Sequence, residues 1–442
     1  MEFVFNGGVM LMFVVRRLLL LCMVIGITFL SAGTEAAGIT NYAKLITPDY
    51  WTTQNKNGDN LILDAQGVAE FNARVRAASP TVPDLLQYPA TISGDNLKTR
   101  VMNYQILEDD LYLHGNKVSE NYKDILRKQT NVGAIPETVN VRYAVTVRRS
   151  ALRNLPTGEG LFYYAADRDF DALQETALDP AEPLIVLHQS ENNFFYYVQS
   201  VNYSGWISTY NIAFTDKKTW QEYASPDKFL VVTGSNLSLK TGSEQVIYQQ
   251  GARLPLTDID AATYTVTAPI RKKDGSLSQM DLLVPKTAAV NVGYLPYTAN
   301  NIIRAAFKFH NMPYGWGGLK NSVDCSSLIF NAYRTVGIIL PRNADEQEIT
   351  AGSKTTFTDQ NASQLNSVIT QLTPGAGLYM DGHALIYIGQ INGLPYAIHS
   401  LGSYFTQGQR RQAMKVVVSD LTLQRSSGNS FLEELITAIE FK

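Results

Sequence analysis

Cysteine is almost absent from this sequence: the 442 residues hold two, Cys22 and Cys325. That scarcity excludes a disulfide framework and a paired CxxC metal site. Histidine is nearly as rare, at five residues, and none falls in an HExxH spacing. Neither GxGxxG after a strand nor GxxxxGK[ST] occurs, so no nucleotide, metal or other cofactor is expected. An excess of charge of one sign is missing too. The formal net charge is -3, which gives no reason to expect nucleic acid as a partner.

Long apolar runs are confined to the beginning of the chain. Arg16 and Arg17 precede Leu18–Leu30, and small residues follow at Ala32, Ala36 and Ala37. This is the order of a secretory signal peptide spanning residues 1–37, with cleavage near Ala36. The run is too short to span a bilayer unless the segment before the arginines joins in, the condition for an uncleaved anchor. No stable membrane anchor is therefore expected after cleavage, and the expected location is periplasmic or secreted. Cys22 leaves with the leader, so Cys325 is the one thiol left in a compartment that oxidises thiols. It has no intrachain partner, and an unused thiol there is a liability.

What is present is a globular chain, 45% hydrophobic and 17% charged, of a length that suggests about three domains. Around Cys325 the pattern is sharp. Tyr314–Ser327 reads YGWGGLKNSVDCSS, and apolar residues then recur at Leu328, Ile329, Ala332, Tyr333 and Val336, one face of a helix. Asp324 is the natural N-cap, and Gly337 with Pro341 closes the helix. A thiol in the first helical turn meets the macrodipole and unpaired N–H groups, which lower its pKa. The competing reading is a small buried core residue. Export of a lone thiol shifts the weight toward catalysis.

Upstream, residues 38–140 look helical and loop-rich, with a helix at Asp64–Ala78 ended by Pro80. From Val141 the period becomes two. Tyr143–Val147, Leu184–His188, Tyr196–Val201 and Trp206–Ser208 read as strands of a small barrel spanning 141–219. A second β-rich stretch, 220–293, has candidate strands at Phe229–Thr233, Val246–Tyr248, Tyr264–Ala268 and Asp281–Val284, with a turn at Lys273–Gly275. His114 in a polar turn, His188 in an alternating strand and His310 at a helix end have ordinary structural roles.

The last part, 294–442, reads as α+β, with strands at Gly377–Met380, His383–Gly389 and Tyr396–His399. His383 opens one strand and His399 closes the next. Their midpoint, Ile391, falls within the turn Gln390–Gly393, so the two lie opposite each other on one face. One imidazole can then orient the other against Cys325, as a thiol nucleophile requires of its base. A register shift of one residue breaks that arrangement.

Two resemblances follow from these residues. RRSALRNLPT with PLIVLHQSENNFFYYVQSVNYSGWIS resembles a bacterial SH3 domain, and 220–293 resembles a second, divergent one. Tyr314-Gly-Trp-Gly-Gly, Asp324-Cys325-Ser326-Ser327, Leu340-Pro341-Arg342, Gly382-His383 with Tyr387-Ile388-Gly389, and Ile398-His399 together resemble the NlpC/P60 family of cell-wall cysteine peptidases. The resemblance implies a papain-like α+β domain behind two SH3-like barrels and a mainly helical N-terminal clip domain. It implies Cys325 as nucleophile, His383 as base, His399 as third member and Tyr314 near the nucleophile or oxyanion. The layout also resembles enzymes that cut the γ-D-glutamyl–diamino acid bond of murein peptides with a free N-terminal L-alanine. There Asp324 and Ser326 match residues that receive the substrate amine, and the barrel adds an acid and a tyrosine, assigned by position to Glu175 and Tyr210. Asn343 stands where relatives often carry serine. The alternatives are a non-catalytic wall-binding SH3 protein and an acyltransferase on the same fold.

Overall fold

The computed structural model describes residues 38–242, 244–357 and 362–442. The expected leader, 1–37 with Cys22, lies outside the described residues. Among the described residues no helix is long and apolar enough to cross a membrane.

The C-terminal region is built on a six-stranded sheet, ordered 353–356, 437–440, 377–380, 383–391, 394–406, 409–420. Neighbouring strands run antiparallel. The helix Cys325–Arg334 lies on it, burying Leu328, Ile329, Ala332 and Tyr333 against Ala384, Ile386, Ile388 and Ile398. The spacing of its apolar residues dictates that face. Asp324 caps the helix by accepting from Ser327 N, and the Ser327 hydroxyl in turn accepts from Asp324 N, forming a capping box. Gly337, at φ +85, closes the exit.

The sheet is larger than the sequence patterns suggest. Strands 353–356, 409–420 and 437–440 have no strict alternation in the sequence, and His399 does not end its strand, which continues to Thr406. The hairpin turn is Asn392–Gly393, both at positive φ, not centred on Ile391. Counted back from that turn alone, the two histidines would face opposite sides. A bulge restores them: Tyr387 pairs with Ala397 and Gly389 with Tyr396, leaving Ile388 as an extra residue. The histidines therefore share a face as diagonal neighbours, not as the directly opposed pair expected. Gly389 holds the bulge at φ +131, and a Cβ there would meet the Trp51 ring at 3.3 Å.

Trp51 comes from the N-terminal segment, whose helices include Pro48–Gln54, Ala65–Ala78, Gly94–Val101 and Glu120–Gln129. Its apolar residues are divided among other cores. Trp51, Phe71, Val75 and Val82 join the C-terminal core, while Leu85, Leu97, Val101 and Val139 pack with the β regions. Asn72 locks the first group down, donating to Gly337 O at 2.8 Å and accepting from Ile339 N at 2.9 Å.

Residues 142–215 form a seven-stranded sheet ordered 212–215, 142–146, 183–189, 195–199, 204–208, 150–153, 174–178. Residues 229–292 form a five-stranded sheet ordered 277–285, 263–271, 253–259, 229–232, 290–292, with a hairpin 236–241/244–249 beside it. The two share one core, in which Val145, Ile185 and Trp206 meet Leu230, Val232 and Leu254. Between strands 150–153 and 174–178 runs a long loop pinned by Leu155, Leu161 and Leu173 against Leu107, Leu111 and Leu126. Its Phe170 reaches the C-terminal region.

Candidate active site

Cys325 is the first residue of its helix, free and half-buried. The backbone N–H of Ala384, the residue after His383, and the Tyr314 hydroxyl both act on its sulfur electrostatically. The thiol therefore lies by the strand that His383 opens. From there a relay runs inward: His383 Nε2 to His399 Nδ1 at 2.7 Å, and His399 Nε2 to Ser419 Oγ at 2.8 Å. Both rings are capped by Phe431 at 5.7 and 5.8 Å. The relay consumes Nε2 of His383, leaving Nδ1 for other partners.

The electrostatics of the resting site differ from the expectation of an acidified thiol. Burial pushes the Cys325 thiol up to about 11, with the neighbouring Asp324 charge adding to it. Burial pulls His383 down to about 3, helped by the Arg425 charge, and His399 lies well below the usual imidazole range for the same reason. Desolvation disfavours both ions, and it outweighs the helix terminus. Burial therefore favours the neutral thiol and the neutral imidazole at rest.

Beneath the thiol lies a buried ion pair. Burial alone would raise Asp324, yet Arg342 and the Ser327 N–H hold its carboxyl below the usual range. Arg342 reaches Asp324 Oδ2 at 2.5 Å, Ser326 Oγ at 2.9 Å and Thr176 Oγ1 at 2.9 Å, while Gly317 N donates to the same carboxylate at 2.9 Å. Asp324 is thereby committed to Arg342 and the glycine turn. Gly317 and Gly318, at φ +53 and +79, lie flush on strand 174–178: a Cβ would meet Gln174 at 2.5 Å or Ala177 at 2.7 Å. Only glycine satisfies both demands.

The first β region walls this side. Phe170 packs on Tyr314 and Trp316, each at 5.6 Å between ring centroids, and Trp316 Nε1 donates to Asp171 O at 2.9 Å. Glu175 accepts from Asn154 Nδ2 at 3.1 Å and from the Tyr203 hydroxyl. Tyr203 is half-buried beside Asn343 and Arg342, and burial together with the Glu175 charge raises its hydroxyl.

The tyrosine bonded to Glu175 is Tyr203, not Tyr210. Tyr210 is 60% exposed, against Arg271. It follows the Trp206 strand and points outward, whereas Tyr203 precedes that strand and turns in. The signal for Tyr203 was the Tyr-Ser-Gly-Trp run itself. Ser419 carried none, since its strand shows no alternation.

By fold and site, the C-terminal region is a domain of the cysteine-peptidase class. Residues 311–415 match the NlpC/P60 family and residues 161–208 match the SH3 domain (SH3b1 type), so the chain carries an NlpC/P60 family domain behind an SH3 domain. It is similar to the gamma-D-glutamyl-L-lysine dipeptidyl-peptidase of Bacillus cereus (strain ATCC 10987), 31% identical over 158 residues, 33% of this chain and 43% of that protein. The protein of that name from Bacillus subtilis (strain 168) is 24% identical over 190 residues, 42% of this chain and 60% of the relative. The matched spans thus cover about half the length of these relatives. In fold, the chain resembles an NlpC/P60 endopeptidase from Photobacterium damselae subsp. piscicida, with a TM-score of 0.71 at 17% identity over 87% of this chain and 95% of that one.

Proposed function

We propose that the chain is a cysteine peptidase that hydrolyses the γ-D-glutamyl–diamino acid bond of murein peptides bearing a free N-terminal L-alanine. The observation that carries this is Cys325 at a helix start beside the strand that His383 opens, with the His383–His399–Ser419 relay behind it and the Glu175–Tyr203 pair beside Arg342. The relatives' printed names agree in bond type.

In this mechanism Cys325 is the nucleophile and His383 the base. Because the resting pair is neutral, the thiol proton passes to His383 as sulfur attacks the γ-carbonyl carbon. His383 Nε2–H donates to His399 Nδ1, which fixes the tautomer that leaves Nδ1 of His383 free to take the proton, and His399 Nε2–H donates to Ser419 Oγ. Tyr314 is the hydroxyl donor to the developing oxyanion. The carbon–nitrogen bond breaks as imidazolium returns the proton to the diamino acid nitrogen, leaving a thioester. Water, deprotonated by His383, then cleaves that thioester and frees the dipeptide and the thiol. The substrate ammonium pairs with Glu175 and Tyr203, with Asp324 and Ser326 holding Arg342 beneath it. A periplasmic or secreted location accompanies this reading, supported by the leader-like residues 1–37. N-terminal sequencing of the mature protein checks it.

The test is release of L-Ala-γ-D-Glu from a short muropeptide, followed by chromatography. Cys325→Ala and His383→Ala each lose at least about a thousandfold in rate while remaining folded. Activity near that of the parent chain in either variant refutes the assignment.

A further inference from the structure

One cationic group near the histidines has no role in the mechanism above. After the last long strand the chain folds back as a short ribbon: Phe431 N donates to Leu423 O at 2.7 Å and Arg425 N to Asn429 O at 2.9 Å, with Gln424 paired to Ser430 between them. Residues opposite each other, and residues two apart, share one side of such a ribbon. Leu423, Phe431 and Arg425 therefore line the same side. That side is fixed by Phe431, whose ring lies against His383 and His399, and Leu423 is buried in the same cluster. Arg425 stands one step further out, near enough for its charge to oppose protonation of His383.

Arg425 is half-exposed, and its guanidinium has no hydrogen-bond or ion-pair partner among the described residues. Asp381, in the turn that precedes His383, is exposed and not paired to it. The site is thus polarised. The Glu175–Tyr203 pair lies beside Arg342, and the Arg425 guanidinium lies near His383.

We infer that Arg425 forms a carboxylate subsite on the leaving-group side of the scissile bond, taking the free α-carboxylate of a C-terminal diamino acid. This rests on the peptidase reading and extends it to the far end of the substrate. The nitrogen that receives the proton from His383 is attached to the same carbon as that carboxylate. A cation beside His383 therefore stands where the carboxylate arrives. A guanidinium meets a carboxylate through charge-assisted, bidentate hydrogen bonds that a carboxamide cannot reproduce. Tripeptides ending at the diamino acid are then preferred over longer stems, in which that carboxyl is an amide. The reaction that supplies the substrate belongs to the carboxypeptidase class, trimming the following residues first.

The experiment compares L-Ala-γ-D-Glu-L-Lys with its C-terminal carboxamide, using the full chain. The acid is expected to exceed the amide by about tenfold in kcat/KM, the worth of one charged hydrogen bond. In Arg425→Gln the ratio falls to about one, and Arg425→Lys regains part of it. Calorimetry supplies a second readout: Cys325→Ala binds the acid about tenfold tighter than the amide, and Cys325→Ala/Arg425→Gln does not. Equal handling of acid and amide by the parent chain, or a preference that survives Arg425→Gln, overturns the subsite. Acid-selective binding without cleavage by the parent chain overturns the peptidase reading but upholds the subsite, and failure to bind either peptide overturns both.

Discussion

The two β regions share a core and lie side by side, yet they meet the C-terminal domain differently. The first, residues 142–215, brings side chains against the elements around Cys325: Phe170 on Tyr314, Thr176 on Arg342, and the Glu175–Tyr203 pair beside Arg342. The second, residues 229–292, touches the backs of the elements that carry the site. Gln249 holds Ser322 O and Asn331, and Gln250 holds Ala305 O. Arg149 and Arg334 converge on the buried Asp179, joining the first region to the helix that carries Cys325. Similar sheets thus do unlike work, one shaping chemistry and the other fixing position, and the difference lies in which loops face the cleft.

The widest separation comes from the second region's core. Leu254→Ala, at a fully buried position, is expected to cost about 2–5 kcal/mol of stability. Urea unfolding measures that loss, and KM for a free-amine muropeptide should stay at the parent value. A raised KM would break the comparison. In the first region the expectation reverses. Glu175→Gln raises KM for the free-amine peptide by about 10- to 100-fold, the loss of one charged hydrogen bond, while the melting temperature hardly moves. An N-acetylated peptide, lacking the ammonium, should not respond to that substitution.

The histidine relay supplies a pH signature that belongs to neither β region. His383 is held at about 3 against an ordinary 6.5, so the unfolded chain binds the proton more readily than the folded one. Its contribution to stability is complete above about pH 6.5 and declines as pH falls toward 3. By pH 5 the loss is about 2 kcal/mol from this group. Denaturant midpoints across that range measure it, and His383→Gln should flatten the curve. Ser419→Ala gives the smallest effect: it removes the acceptor for His399, costing about 1 kcal/mol of transition-state stabilisation or about fivefold in kcat, with KM unaffected. An unchanged kcat would show that the relay ends at His399.

Much of the site could be read from residue order, because local chemistry fixes it. Asp324 caps and Cys325 begins a helix wherever that helix goes, since hydroxyl and carboxylate caps and apolar spacing act within a few residues. Glycines 317 and 318 were evident as a turn for the same reason. The paired histidines were legible as a hairpin, but their register was not. A single extra residue at Ile388, held by Gly389 under Trp51 from a distant helix, decides whether the imidazoles share a face.

By itself, then, the sequence determined that one thiol would sit at a helix start ahead of two strand histidines. Only the tertiary structure decided that the thiol is neutral at rest, that Tyr203 and not Tyr210 stands with Glu175, and that Ser419 ends the relay. Burial, register and ion pairing arise between segments far apart in the chain, and no local pattern encodes them.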